Sequence, residues 1–282
     1  MNNVFTIDVE DWYHTMDFNF PQSTWDNYED RIEYGLKSIM EVLSKHNVRA
    51  TFFVLGCVAQ KHPELIKEIV NQGHEIGSHG TNHRMVTTQS REEFRVDVAM
   101  SKEILEDITG VQVKLYRSSS WSIVPKTIWA LEILAEEGFI CDSSIQPFKT
   151  PLSGFKRAPM QPFYPIIDGK KLNILEFPPS VLPIFNTCLP FCGGLYLRTF
   201  PIEYIKYALK MVNRKAPGMI YTHPWEVDIG QPRLKVPMHI KFTHYYNLKR
   251  TLNKLDNVLK NFKFITLGEL IKEGNYQAVI LK

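Results

Sequence analysis

Several features that would place a chain early are scarce here. Four cysteines, Cys57, Cys141, Cys188 and Cys192, are scattered through 282 residues. They are too few and too uneven for a disulfide framework, so free thiols are expected. No uncharged apolar run reaches the roughly 18 residues that a membrane-spanning helix requires, and greasy stretches such as EFPPSVLPIF are broken by proline. The opening residues, MNNVFTIDVEDW, contain neither a basic start nor a long apolar segment. No cleaved signal is therefore expected, which makes a cytoplasmic location the expectation. The formal charge of +3 includes no block of Lys or Arg, and nothing points to nucleic acid as a partner.

What the chain does have is a steady alternation of short apolar runs and helical patterns. Strands are expected at 4–8, 50–54, 74–79, 113–117, 139–142, 173–177 and 218–223, with a last one in FKFIT. A helix over 31–46 carries Ile32, Leu36, Ile39, Met40 and Leu43 on one stripe. The next helix has Pro63 near its first position and Gly73 just past its end. Ser90 and Glu93 form a capping box that opens a long helix ending at Gly110. Further helices are expected at 125–137, 201–213 and 243–260, with a short one from Gly268. The stretch 143–170 is rich in proline and lacks a period, so it reads as a long loop. Strands apolar on both faces with interposed helices favour a parallel sheet. The expected fold is an α/β architecture, a distorted (β/α) barrel of seven or eight parallel strands in one domain over 1–282.

Polar residues collect where these strands end. Asp8 ends the first, His79 the third, Arg117 the fourth, Asp142 the fifth and His223 the seventh. In barrel enzymes the C-terminal strand ends share one mouth, so their loops bring such groups together. His79 and His83, four apart in HGTNH, suit a zinc-like ion through neutral imidazole. In Asp8-Val9-Glu10-Asp11, two acids spaced by two lie on one side of a strand end. One can hold the metal while the other takes a proton from water, and Asp11 is an alternative to Glu10. His223 is a candidate general acid. Asp142 either orients His223 or caps its own turn. Arg117 either pairs with Asp8 or binds substrate.

The remaining histidines are plainer. His46, His62, His239 and His244 show no carboxylate partner in the sequence, and His74 opens its strand at the wrong end. His14 lies near the acidic cluster and is a weaker candidate for lining the mouth. Trp12, Trp121 and Trp225 lie within a few residues of the candidate groups. Each is either a platform for a sugar ring or part of the core.

With these residues in view, the chain resembles the NodB-homology polysaccharide deacetylases, with motifs in order over most of its length. TIDVED looks like the first motif, which makes Asp8 the base and Glu10 a metal ligand. SHGTNH is similar to the second, and adds His79 and His83 to the metal. YRSSSWS supplies Arg117, CDSS supplies Asp142, and YTHPWE supplies His223 as general acid. The resemblance implies a divalent metal cofactor, zinc first, with cobalt, nickel, iron or manganese as alternatives. It also implies hydrolysis of an N-acetyl group on a sugar or polysaccharide, with Trp121, Trp225 and Ser118 binding substrate. HPWE, the segment Gln231–Arg233 and FTHYYNLKRTLNKLD resemble an exopolysaccharide-associated branch, with a C-terminal extension at about 224–282. Two departures stand out. Val9 replaces the acid expected beside Asp8, and Ser118 and Ser119 stand where Ala and Pro are common. A deformylase, a cyclic-amide hydrolase and a non-catalytic glycan-binding protein are the rival readings.

Overall fold

The computed structural model describes every residue except Asn186 and Lys282. The strands are β1 (Asn2–Val9), β2 (Thr51–Val54), β3 (Glu75–Ser78), β4 (Leu115–Tyr116), β5 (Cys141–Asp142), β6 (Tyr164–Ile167) and β7 (Lys170–Lys171). They continue as β8 (Leu175–Glu176), β9 (Val181–Ile184), β10 (Thr187–Pro190), β11 (Met219–Thr222), β12 (Lys263–Ile265) and β13 (Ala278–Ile280). The main sheet runs in the order β11-β1-β2-β3-β4-β5-β8, with β12 added against β1. All of its pairings are parallel.

The distortion expected of the barrel takes the form of an opening, since β8 and β11 stand at the two ends of the sheet. The free edge of β11 is bonded by irregular chain instead. Met219 N donates to Ser180 Oγ at 2.7 Å, and Tyr221 N donates to the Cys192 carbonyl at 2.8 Å. The hairpin β9–β10 lies in this region, and prolines had hidden it from the sequence pattern. Likewise 143–170 is not all loop, because β6 pairs with β7 and β13 in a separate small sheet.

The helices are α1 (Ile32–Lys45), α2 (Gly56–Lys61), α3 (Pro63–Asn71), α4 (Arg91–Thr109), α5 (Ala130–Glu136), α6 (Gly194–Thr199), α7 (Ile202–Val212), α8 (Met238–Tyr245), α9 (Leu248–Asn261) and α10 (Leu267–Glu273). The stripe Ile32, Leu36, Ile39, Met40 and Leu43 is buried on α1 as its spacing predicts. Burying each such side chain contributes about 1.5–3 kcal/mol. The Ser90–Glu93 capping box opens α4, and Gly110 closes it in the left-handed conformation. The single helix expected over 243–260 is two, broken where Asn247 takes a φ of 59°. The short helices α2 and α6 were not legible as periods. Among the described residues no helix is long and apolar enough to cross a membrane, and all four cysteines are free.

Two cores position the site. Phe5, Ile7 and Val9 of β1 pack outward into the helices, whereas Val4 faces an inner cluster with Phe53, Leu115, Trp121, Phe177 and Met219. Leu267 and Leu270 of α10 join that inner cluster and close the lower end. Strand alternation then puts Thr6 and Asp8 on the inner side with Val4. Gly35 of α1 allows one further close approach, since a Cβ there would stand 2.1 Å from the Pro224 carbonyl oxygen.

Candidate metal centre and catalytic groups

Glu10, His79 and His83 are the acidic and imidazole groups that converge. All three are buried, and one ligand atom from each lies within 4.8 Å of the others. Val9 turns into the core, and Glu10 N donates to the Asp8 carbonyl at 3.0 Å, a tight turn that brings the Glu10 side chain over the strand end. The loop after β3 is fastened from two sides. Gly80, at φ 77°, and Thr81 offer their carbonyls to Gly56 N and Cys57 N, each at 2.9 Å, while Thr81 N and Oγ1 donate to Asp97. His83 itself holds a φ of 51°, a conformation that costs a residue with a Cβ about 1 kcal/mol or more.

Each ligand has a supporting partner. His79 Nδ1 donates to the Arg117 carbonyl at 2.8 Å, which leaves Nε2 as the lone-pair nitrogen. Burial lowers the His79 pKa to about 4, outweighing the raising effect of Asp8. Trp225 Nε1 donates to Glu10 Oε1 at 3.2 Å. Burial alone would raise the Glu10 pKa, but His83, His223 and His79 together bring it well below the usual carboxylate range. Glu10 Oε2 lies 2.6 Å from His83 Nε2, yet among the described residues it has no hydrogen-bond donor, and His83 Nδ1 is a second buried atom without a partner there. Two imidazoles, a carboxylate and a buried carboxylate oxygen without a donor fit a divalent ion of the zinc type. Asp11 does not compete with Glu10. Its two oxygens accept from Trp12 N at 2.7 Å and Arg31 N at 2.6 Å, and burial raises its pKa to about 7.

Asp8 lies beside the three. Arg117, wholly buried, donates from Nη1 to Asp8 Oδ1 at 2.5 Å and to Thr6 Oγ1 at 2.9 Å. Its remaining N–H groups reach the Ser143 carbonyl and Oγ at 3.2 and 3.0 Å. Phe53 and Trp121 sandwich the guanidinium at 4.2 and 4.5 Å. Arg117 thus pairs with Asp8, the first of the two roles open to it. His223 Nε2 lies 3.7 Å from Asp8 Oδ2 and 3.5 Å from Glu10 Oε1.

The partner of His223 is Glu226, which the sequence did not single out. Glu226 Oε2 meets His223 Nδ1 at 2.9 Å, and Arg198 Nε donates to Glu226 Oε1 at 2.7 Å. Burial would lower the His223 pKa, but the Glu226 hydrogen bond and charge, with Glu10 and Asp8, raise it to about 9. Asp142 has no bond to His223. Its Oδ1 accepts from Ser144 Oγ at 2.5 Å, and Ser144 Oγ in turn accepts from Ser118 N at 2.7 Å. Burial raises the Asp142 pKa to about 6 and holds its neighbour Glu176 well above the carboxylate range. Of the two readings open to it, Asp142 thus takes the second: it bonds within its own turn and anchors the loop that grips Arg117, and it is not the partner of His223.

The candidate substrate residues are repositioned too. The Ser118 N–H is occupied by Ser144, so it is not free to stabilise an oxyanion, and its hydroxyl accepts from Ser122 N at 2.9 Å. Trp121 is 8% exposed and roofs Arg117. Ser120 and Trp121 are successive left-handed residues, at φ 54° and 55°. Trp225 is 7% exposed, stacked between His223 at 5.3 Å and His244 at 4.4 Å, and serves Glu10. Three of the plainer histidines do have carboxylate partners: His46 with Asp256, His62 with Asp30 and His244 with Asp17. A cavity of about 740 Å³ lies elsewhere, between Lys37, Arg49 and His74.

Residues 22–134 match the family described as polysaccharide deacetylase, and residues 143–272 match a domain of unknown function, DUF3473. The first match contains His79, His83 and Arg117, and the second His223. Residues 22–134 are thus similar to polysaccharide deacetylase domains. A peptidoglycan-N-acetylglucosamine deacetylase of Bacillus cereus is 36% identical over 110 residues, 39% of this chain and 39% of that protein. A chitooligosaccharide deacetylase of Sinorhizobium fredii is 31% identical over 97 residues, 34% of this chain and 42% of the relative. The chain thus spans about two-fifths of the length of these curated relatives. A solved structure assigned as a polysaccharide deacetylase from Mycobacterium smegmatis shares the fold. Its TM-score is 0.64 at 17% identity, over 96% of this chain and 89% of that one.

Proposed function

We propose that the protein is a metal-dependent hydrolase that removes N-acetyl groups from an amino sugar in a polysaccharide or its precursor. The observation that carries this reading is the meeting of Glu10, His79 and His83 beside two further pairs, Asp8 with Arg117 and His223 with Glu226. Its relatives, described as deacetylases of peptidoglycan and of chitooligosaccharide, support the reaction class. Zinc is the ion best suited to two imidazoles and a carboxylate. We read 1–282 as one catalytic domain, with 224–282 as an extension that supplies Trp225, Glu226 and His244 around the site, and we place it with the exopolysaccharide-associated branch.

Bound ion would supply Lewis acidity and make water a better nucleophile near neutral pH. Asp8, fixed through Oδ1 by Arg117, offers Oδ2 to take the proton of the attacking water. His223, charged below about pH 9, stands across from Asp8 and gives its Nε2 proton to the departing amine. Glu226 keeps the His223 ring turned so that Nε2 faces the reacting groups. Analysis of the acid released from acetylated and formylated amino sugars tests the reading. Acetate is expected, with none in the presence of a chelator. Formate in its place would reassign the substrate, and full turnover by metal-free protein would reject the scheme.

A further inference from the structure

We infer that α8, with the loop before it and the first turn of α9, is a docking surface for a lipid bilayer that carries anionic headgroups. The surface lies outside the catalytic groups and does not depend on the reaction proposed for them. Between Asp228 and Asp256 the chain has no acidic residue. In the same stretch Arg233, Lys235, Lys241, Lys249 and Arg250 are exposed. Interleaved with them are Ile229, Met238, Phe242 and Tyr246, which are 57%, 77%, 47% and 43% exposed. Met238, Phe242 and Tyr246 recur every four residues and so share one side of α8, and the last two rings lie 4.8 Å apart. Scattered apolar side chains on a surface are ordinary, but a group of them among charges of one sign marks a place of contact.

The backbone beneath these side chains is held firmly. His244, buried on the inner side of α8, meets Gln231 Oε1 through Nε2 at 2.7 Å. Tyr245 Oη donates to the Pro232 carbonyl at 3.0 Å and accepts from Leu234 N at 3.1 Å, while Arg233 lies 4.5 Å above the Tyr245 ring. The loop 229–237 is thereby tied to α8 as one platform. The carboxylates around it are already engaged. Asp17 meets Thr243 and His244, each at 3.2 Å. Asp228 accepts from Arg31, which also pairs with Glu29, and Asp256 accepts from Lys45 and His46. Among the described residues none of the five cations of the platform pairs with a carboxylate.

Charge and apolar surface together select the occupant. At a bilayer, Met238 and Phe242 would enter the boundary between headgroups and acyl chains, while lysine and arginine meet the phosphates. An acidic polymer would satisfy the cations and leave the apolar side chains in water. The surface also adjoins the site, because His244 stacks on Trp225 at 4.4 Å and Trp225 on His223 at 5.3 Å. Docking through α8 would hold the catalytic groups close to the membrane face.

Co-sedimentation of the full chain with vesicles tests this, comparing phosphatidylglycerol mixed equally with phosphatidylcholine against phosphatidylcholine alone, in about 0.15 M salt. Affinity for the anionic vesicles should be about tenfold or more higher. Lys235→Gln combined with Lys241→Gln should weaken that binding about tenfold, and so should Met238→Ser combined with Phe242→Ser. All four side chains are exposed, so a thermal melt should match that of the parent. No binding to anionic vesicles, or equal binding to both kinds, would overturn the surface. Loss in the lysine variant with none in the Met238→Ser, Phe242→Ser variant would reassign it to an acidic polymer and overturn the bilayer. Vesicle binding is read without metal or substrate, so this inference and the deacetylase reading can fail independently.

Discussion

Replacing Glu226 with Gln keeps the size of the side chain and removes its charge from beside His223. The His223 pKa stands at about 9 against an ordinary 6.5, with Glu226 contributing the largest raising effects. A tenfold change in protonation is about 1.4 kcal/mol, so that rise is worth roughly 3 kcal/mol in favour of the imidazolium. Losing the main contributor should bring the pKa down by at least about one unit. Because the protonated ring is the active form, the alkaline limb of kcat/KM should move to lower pH. At pH 8 a drop of one unit takes the protonated fraction from about nine-tenths to about a half, so turnover should fall about twofold or more. The stability that the pair contributes runs the same way: it is complete below 6.5 and is lost as pH rises through about 9. Glu226→Gln also strands Arg198, both partners of that pair being 1% exposed, at a cost of about 3 kcal/mol in folding. Arg198 retains the carbonyls of Thr243, His244 and Tyr246, which should keep the variant folded. A pH–rate profile by acetate release, with a thermal melt at each pH, reads both effects. A folded variant whose alkaline limb coincides with that of the parent would refute the assignment.

The other residues give equally direct outcomes. Asp8→Asn should retain one metal per chain and lose turnover about a hundredfold or more, as read by elemental analysis beside acetate release. Trp225→Phe removes the 3.2 Å hydrogen bond to Glu10. Zinc affinity should drop about tenfold in competition with a chelating dye. Gly35→Ala would place a methyl 2.1 Å from the Pro224 carbonyl oxygen. Displacing the turn that carries His223 and Glu226 should cost roughly 1–3 kcal/mol by denaturant unfolding and should reduce turnover as well.

The parallel sheet and its helices were legible because burial on both faces leaves strong periods, as in α1 and β1. The convergence of Glu10, His79 and His83 was legible because strand ends meet in this architecture and β1 alternates its side chains. What escaped the sequence shares a cause: it depends on contacts between distant segments. Glu226 is three residues from His223, but only the buried Arg198, on α6, makes its role visible. Asp142 looks like a partner for His223 at its strand end, yet Ser144 and Glu176 lie closer. His244 gave no sign of standing behind Trp225 and the candidate ligand Glu10. The opening of the barrel was hidden for another reason, since β9 and β10 are too short and too rich in proline to show a period. The left-handed Ser120 and Trp121 follow from tertiary packing over Arg117, and no local turn signal announces them.

A crystal grown with zinc and measured at the zinc absorption edge tests the centre most directly. The expected result is one strong anomalous peak per chain, about 2.0–2.2 Å from Glu10, His79 and His83, with Asp8 and His223 facing it. A peak confined to other residues, or imidazoles turned away from Glu10 with zinc present in the crystal, would contradict the account.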